Sequence, residues 1–218
     1  MARQKTAYVC NDCGADYSKW QGQCTACNAW NTLTEVRLSS ASGGTASRNV
    51  RFDGYAGGAG QQKKVVSLSE VNLEEMPRFS TASVELDRVL GGGLVPGSAI
   101  LIGGHPGAGK STLLLQIMCQ LAAQMPALYV TGEESLQQVA LRANRLGLPT
   151  DQLKMLSETS VEQICTTADQ IKPKLMVIDS IQVMHVADVS SAPGSVSQVR
   201  EGAAYLTRYA KQTGTVLF

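Results

Sequence analysis

From Val65 onward the chain alternates short apolar runs with longer stretches in which apolar positions recur at helical spacing. The runs are AILI at 99–102, ALYVT at 127–131, LKML at 153–156, LMVID at 175–179 and TVLF at 215–218. They are short, lack the strict alternation of a half-exposed strand and mostly give way to turn or polar residues, as strands buried on both faces do. Between them, STLLLQIMCQLAAQM, LQQVALRANRLG and a segment opening SVEQ carry helical periodicity, and a last helix is predicted over Gln198–Gln212. Ser135 precedes the second of these as an N-cap, and Ser160 with Gln163 has the spacing of a capping box for the third. Strand alternating with helix predicts an α/β domain with a mainly parallel sheet of five strands.

Upstream the pattern changes. Residues 39–64, SSASGGTASRNVRFDGYAGGAGQQKK, are rich in Gly, Ser and Ala and bury too little apolar surface to offset the entropy of ordering them. The chain therefore divides into a small unit over 1–34, a flexible linker over 35–64 and the α/β core over 65–218. With 218 residues and 44% apolar content, the chain has an ordinary composition and is large enough to bury a core. No run approaches the roughly 18 uncharged apolar residues of a membrane span, and MARQKTAYVC lacks the apolar stretch of a secretory signal. The expectation is a cytoplasmic protein without a membrane partner.

The ten residues Gly103 to Thr112, GGHPGAGKST, follow the first apolar run and open the first long helix. Within them Gly104-His105-Pro106-Gly107-Ala108-Gly109-Lys110-Ser111, continued by Thr112, matches G-x-x-x-x-G-K-[ST] between a predicted strand and a predicted helix, the context this phosphate loop requires. Glycines let the backbone wrap a phosphate chain and aim its N–H groups inward, and the helix adds the positive end of its dipole. Lys110 is placed to reach the β and γ phosphates of ATP. Ser111 offers a hydroxyl to Mg²⁺, whose other protein partner should be an acid at the end of a later apolar strand, where LMVIDS supplies Asp179. Two carboxylates, Glu133 and Glu134, follow ALYVT in GEES. Neighbouring parallel strands open on one crevice, so either can act on the attacking water as a catalytic base. The plainer alternative is that both favour the start of the next helix through its dipole.

Six cysteines are too few for a disulfide scaffold of this length, and a reducing compartment fits them. Four form two C-x-x-C pairs, Cys10 with Cys13 and Cys24 with Cys27, separated by ten residues. Two such knuckles can close a tetrahedral Zn²⁺ site and supply the folding energy that so small a unit lacks. A redox dithiol normally opens a helix in a strand-helix unit, whereas here two pairs lie amid glycines. Trp20 and Trp30 are expected to pack on the knuckles, the alternative being exposed rings that stack on bases or a partner. Cys119 and Cys165 read as small apolar residues of helix faces. Charge adds little. The net is +1, with eight Lys or Arg against four Asp or Glu in residues 1–64, and four thiolates with one zinc ion would remove two units of that excess.

Taken together, LDRVLGGGLVPGSAILIGGHPGAGKST, TGEES and VIDSIQV resemble the RecA-like P-loop ATPases, and CGADYSKWQGQCTACNAWNT is similar to the zinc finger of their bacterial DNA-repair branch. That resemblance implies a hexameric, DNA-dependent ATPase that moves along single-stranded DNA, drives branch migration on branched DNA during recombinational repair and works with a recombinase protein. It implies that Glu133 is the catalytic glutamate, with Glu134 its neighbour, and that His185 to Ser197 occupy the place of a DNA-binding loop. Arg200, Arg208 and Lys211 on the following helix can assist such a loop or form a solvated face. The resemblance also implies further elements beyond TVLF, which reads as a strand cut short, so full activity is not expected of this chain. The alternatives are a nucleotide switch that controls protein assembly without DNA and a ribbon-bearing binding module that merely holds ATP.

Overall fold

The computed structural model describes residues 5–10, 13–38, 67 and 77–218. The linker expected over 35–64 lies, from residue 39 onward, outside the described residues.

The N-terminal unit is a three-stranded antiparallel sheet in the order β2-β1-β3, built from β1 (Lys5–Cys10), β2 (Asp16–Tyr17) and β3 (Leu33–Leu38). Strand β1 pairs with β3 from Lys5↔Leu38 to Cys10↔Leu33, so β3 runs four residues beyond the limit drawn at 34. Its buried cluster is small: Cys10, Cys24 and Leu33, with Tyr8, Cys13, Ala15 and Tyr17 against them.

The larger unit is a parallel four-stranded sheet in the order β5-β4-β6-β7, comprising β4 (Ala127–Thr131), β5 (Lys154–Ser157), β6 (Leu175–Asp179) and β7 (Val216–Leu217). Period-2 alternation divides the side chains of the central strands between two cores. On one face Ala127, Tyr129, Leu175 and Val177 meet α2 (Lys110–Ala122) and α3 (Leu136–Arg145) through Leu114, Leu115, Ile117, Met118, Leu121 and Val139. On the other, Leu128, Val130, Met176 and Ile178 meet α4 (Val161–Ile171) and α5 (Val196–Thr213) through Ile164, Ala168, Leu206 and Tyr209. Burial on both faces is why these strands read as continuous apolar runs. Each fully buried Leu, Ile or Met side chain contributes about 1.5–3 kcal/mol of transfer free energy.

Of the five expected strands, AILI at 99–102 forms no ladder. Ala99 makes an isolated parallel bridge with Leu217, Ile100 N–H donates to Leu217 O at 2.8 Å, and Leu217 N–H donates to Ser98 O at 2.8 Å. The segment lies at the sheet edge beside a two-residue strand, with too little partner backbone for a ladder. Ile100 and Ile102 still pack on the core, whereas Leu101 is 86% exposed. A short helix, α1 (Val84–Val89), lies outside the predicted elements: of its apolar residues Val84 and Val89 face solvent and Leu86 alone packs on the core, too little for a periodic signal.

The caps follow the sequence closely. Ser135 and Gln138 form a complete capping box at α3. At α4 the box is split: Ser160 accepts from Gln163 N–H, but the Ser160 N–H is taken by Glu158 Oε1 at 2.9 Å instead of by Gln163. Helix α5 begins at Val196, capped by Ser195, two residues before the expected start. No helix among the described residues is long and apolar enough to cross a membrane.

Candidate nucleotide crevice and cysteine centre

Serine side chains cap α1, α3, α4 and α5, but α2 has Gly109 at its N-cap and no side-chain cap. Gly107 and Gly109 have φ values of +81° and +84°. An added Cβ at either would meet nothing within 4 Å, so it is the left-handed backbone, not lack of room, that requires glycine. The result is a helix N-terminus whose first N–H groups remain available to an anion. From Gly103 to Gly109 the loop is exposed, carrying His105, Pro106 and Ala108 on its surface, while Lys110, Ser111 and Thr112 are half-buried at the start of the helix. The Lys110 ammonium folds back over the loop and donates to Gly104 O at 2.7 Å and His105 O at 3.0 Å.

Opposite the loop lie the C-terminal ends of β4 and β6. Parallel pairing sets Thr131 beside Asp179, and Gly132 N–H donates to Asp179 O at 3.0 Å. A Cβ on Gly132 would come within 2.5 Å of Val183 Cγ2 in the turn after β6, so glycine is what fits between the end of β4 and that turn. Ser111 Oγ donates to Asp179 Oδ1 at 3.1 Å, and the buried Tyr129 hydroxyl donates to Asp179 Oδ2. Burial, followed by the Asp179 carboxylate, raises the Tyr129 pKa well above its ordinary value, so the phenol is a neutral donor. Hydroxyl and carboxylate are hard oxygen donors, and the Ser111–Asp179 pair is a donor set suited to Mg²⁺.

The two glutamates diverge. Glu133 is exposed, and its carboxylate accepts a hydrogen bond from Ser180, the residue after Asp179. Glu134 is tied down: Arg142 on α3 pairs with its carboxylate, and the buried Thr131 hydroxyl donates to Glu134 O at 2.8 Å and accepts from Glu134 N–H at 3.1 Å. Glu133 is thus linked to the residue next to Asp179, and Glu134 to α3. The distinguishing partner of Glu133 lies 47 residues away in sequence, so no local signal could separate the two glutamates.

The loop after β6 is more ordered than its composition suggests. His185 is hydrogen-bonded through its backbone to Thr159 and Val161. Gln198, 2% exposed, accepts from Val186 N–H at 2.8 Å and donates to Val189 O at 2.7 Å and Ser191 O at 2.9 Å. Sequence reasoning missed this role, for which a polar residue in the first turn of a helix is a weak signal. Arg200 is exposed and pairs with Glu201 at 3.5 Å, a contact worth little in water.

In the ribbon, the two knuckles repeat one geometry. Gly14 N–H donates to Cys10 O and Asn28 N–H to Cys24 O; Cys10 N–H donates to Ala15 O and Cys24 N–H to Ala29 O; Gly14 and Asn28 are both left-handed. The four Sγ atoms lie within 4.8 Å of one another, with Cys10–Cys27 at 3.7 Å and Cys13–Cys24 at 3.4 Å. Tetrahedral Zn²⁺ with Zn–S bonds of about 2.3 Å requires S···S separations of about 3.8 Å, so this is a zinc-binding Cys₄ site. The Tyr17 hydroxyl lies 3.2 Å from Cys24 Sγ and pulls that thiol down to about 6. Trp20 and Trp30 do not pack on the knuckles: at 57% and 68% exposure, their indoles converge over Gly22. Cys119 and Cys165 are buried in helix faces, and burial raises both thiols, Cys165 to about 12.

Comparison with known proteins agrees with both halves. A family model described as an AAA domain matches residues 69–218, and one described as a rubredoxin metal binding domain matches residues 8–35. The chain is 73% identical to DNA repair protein RadA of Haemophilus influenzae over 95% of its own length and 44% of that protein. It is 70% identical to DNA repair protein RadA of Escherichia coli, covering 98% of this chain and 46% of the relative, and 43% identical to that of Bacillus subtilis, covering 100% and 46%. The chain thus spans less than half the length of the curated relatives it matches.

Proposed function

The chain belongs to the AAA-domain family, and from that premise we propose that it is the zinc-ribbon and nucleotide-binding part of a DNA-dependent ATPase of recombinational repair. The observation that carries the reading is the 3.1 Å contact between Ser111 on the uncapped helix and Asp179 on the neighbouring strand end. The backbone of Gly104 to Gly109 cradles the phosphates, Lys110 supplies positive charge to them, and Ser111 and Asp179 hold Mg²⁺. An ion held by these two residues would supply positive charge against the β and γ phosphates. Glu133 orients and deprotonates the attacking water, while Glu134 fixes the turn beneath it through Arg142 and Thr131. The division into ribbon, linker and core at 34 and 64 belongs to this reading. So do the cytoplasmic setting, the hexamer, the recombinase partner and movement along single-stranded DNA with branch migration, for which the relatives named for DNA repair are the support.

One observation favours the alternative, a nucleotide switch that governs protein assembly without DNA: from His185 to Val199 the chain carries no Lys or Arg to meet phosphates. ATP binding and hydrolysis with and without single-stranded DNA distinguish the two, since equal rates would exclude the DNA motor. Glu133→Gln should bind ATP as the unaltered chain does but turn over about 100-fold more slowly. Normal turnover in that variant would remove Glu133 from the mechanism, and absence of ATP binding by the unaltered chain would end the whole reading.

A further inference from the structure

Tyr129 is the odd member of its strand. In ALYVT at 127–131 every residue is buried, and Tyr129, at 0% exposure, is the large polar side chain on the face directed at α2, the smaller Thr131 hydroxyl on that face being taken up by the Glu134 backbone. Burying a phenol without a partner costs free energy that a leucine or phenylalanine of similar volume would avoid. Here the hydroxyl has one use: it reaches past its register partner Val177 to donate to Asp179 Oδ2, while Ser111 takes Oδ1. The two oxygens of one carboxylate thus have separate neighbours, one inside the core and one at the mouth of the crevice.

We propose that Tyr129 is a positioning residue that reserves Asp179 Oδ2 for the protein and so presents the carboxylate to the metal of the nucleotide complex through Oδ1 alone. The proposal rests on the ATP–Mg²⁺ reading above. A carboxylate held by one oxygen suits Mg²⁺, which demands near-octahedral geometry, and disfavours Ca²⁺, which accepts bidentate carboxylates in flexible shells. Tyr129 therefore also bears on which divalent ion accompanies the nucleotide. It touches neither phosphate nor metal, and acts through Asp179.

The test is equilibrium binding of a fluorescent ATP analogue to the chain, titrated with Mg²⁺, then with Ca²⁺, and finally in EDTA. In Tyr129→Phe the Mg²⁺ concentration for half-maximal enhancement should rise about 10-fold, as for other partners of ligating carboxylates, while affinity in EDTA stays unchanged. The Mg²⁺-over-Ca²⁺ preference should fall. An unshifted Mg²⁺ titration overturns the proposal, and so does an equal loss of affinity with and without metal, which would mark a purely structural hydroxyl. Tyr129→Met provides a second apolar replacement; if neither variant folds, the hydroxyl is a folding requirement and the metal role is withdrawn. Failure of the unaltered chain to show Mg²⁺-dependent binding would instead strike at the ATP reading, so the two failures are distinct.

Discussion

The ribbon and the sheet domain hold their functional groups in place by opposite means. In the ribbon the buried cluster consists of Cys10, Cys24 and Leu33, so the ligands themselves are most of the core. In the sheet domain two apolar layers enclose β4 and β6, and the crevice groups stand at the rim of a structure that packs without them. The first arrangement makes metal binding and folding one event. The second separates them, which allows Asp179, Glu133 and the loop before α2 to be arranged for a ligand at little cost to the layers beneath.

The sharpest way to break this contrast is to remove the ribbon's metal. Cys24→Ala, or a strong chelator, should abolish zinc stoichiometry and collapse the ribbon, a loss on the scale of about 10 kcal/mol or more of apparent binding energy. The thermal transition of the sheet domain and its nucleotide affinity should stay where they are; a matching drop in that transition would show that the two units are not energetically separate. The converse test is Leu115→Ala, which empties a 1%-exposed position between α2 and the sheet. It should cost about 2–5 kcal/mol in denaturant unfolding of the core and leave zinc content intact. The smallest effect sharpens the picture at a helix end: Ser135→Ala removes one arm of the α3 capping box and should destabilise the core by about 1 kcal/mol, with no change in the ribbon.

Much of the fold was legible because its signals are local. Continuous apolar runs announced β4 and β6, a serine N-cap announced α3, and the glycine pattern announced the helix that follows the phosphate loop. Ser111 and Asp179, 68 residues apart, were paired on paper by motif logic, and the structure brings them together. What could not be read depends on tertiary neighbours. The edge segment at 99–102 looks as apolar as a central strand but has only Leu217 to pair with. The unequal surroundings of Glu133 and Glu134 come from Ser180 and Arg142, and the use of the Tyr129 hydroxyl comes from the adjacent strand. Tryptophan usually signals a core, but a ribbon whose interior is filled by sulfur has no room for Trp20 and Trp30.

Gln198 gives the loop after β6 a mechanical character. Four backbone groups of that loop hang from a single amide seated in the first turn of α5. Ala187 N–H in the same stretch is held by Glu162 on α4 at 3.0 Å, so the loop is a strap fastened to both helices, and a shift of one against the other would load it from two ends.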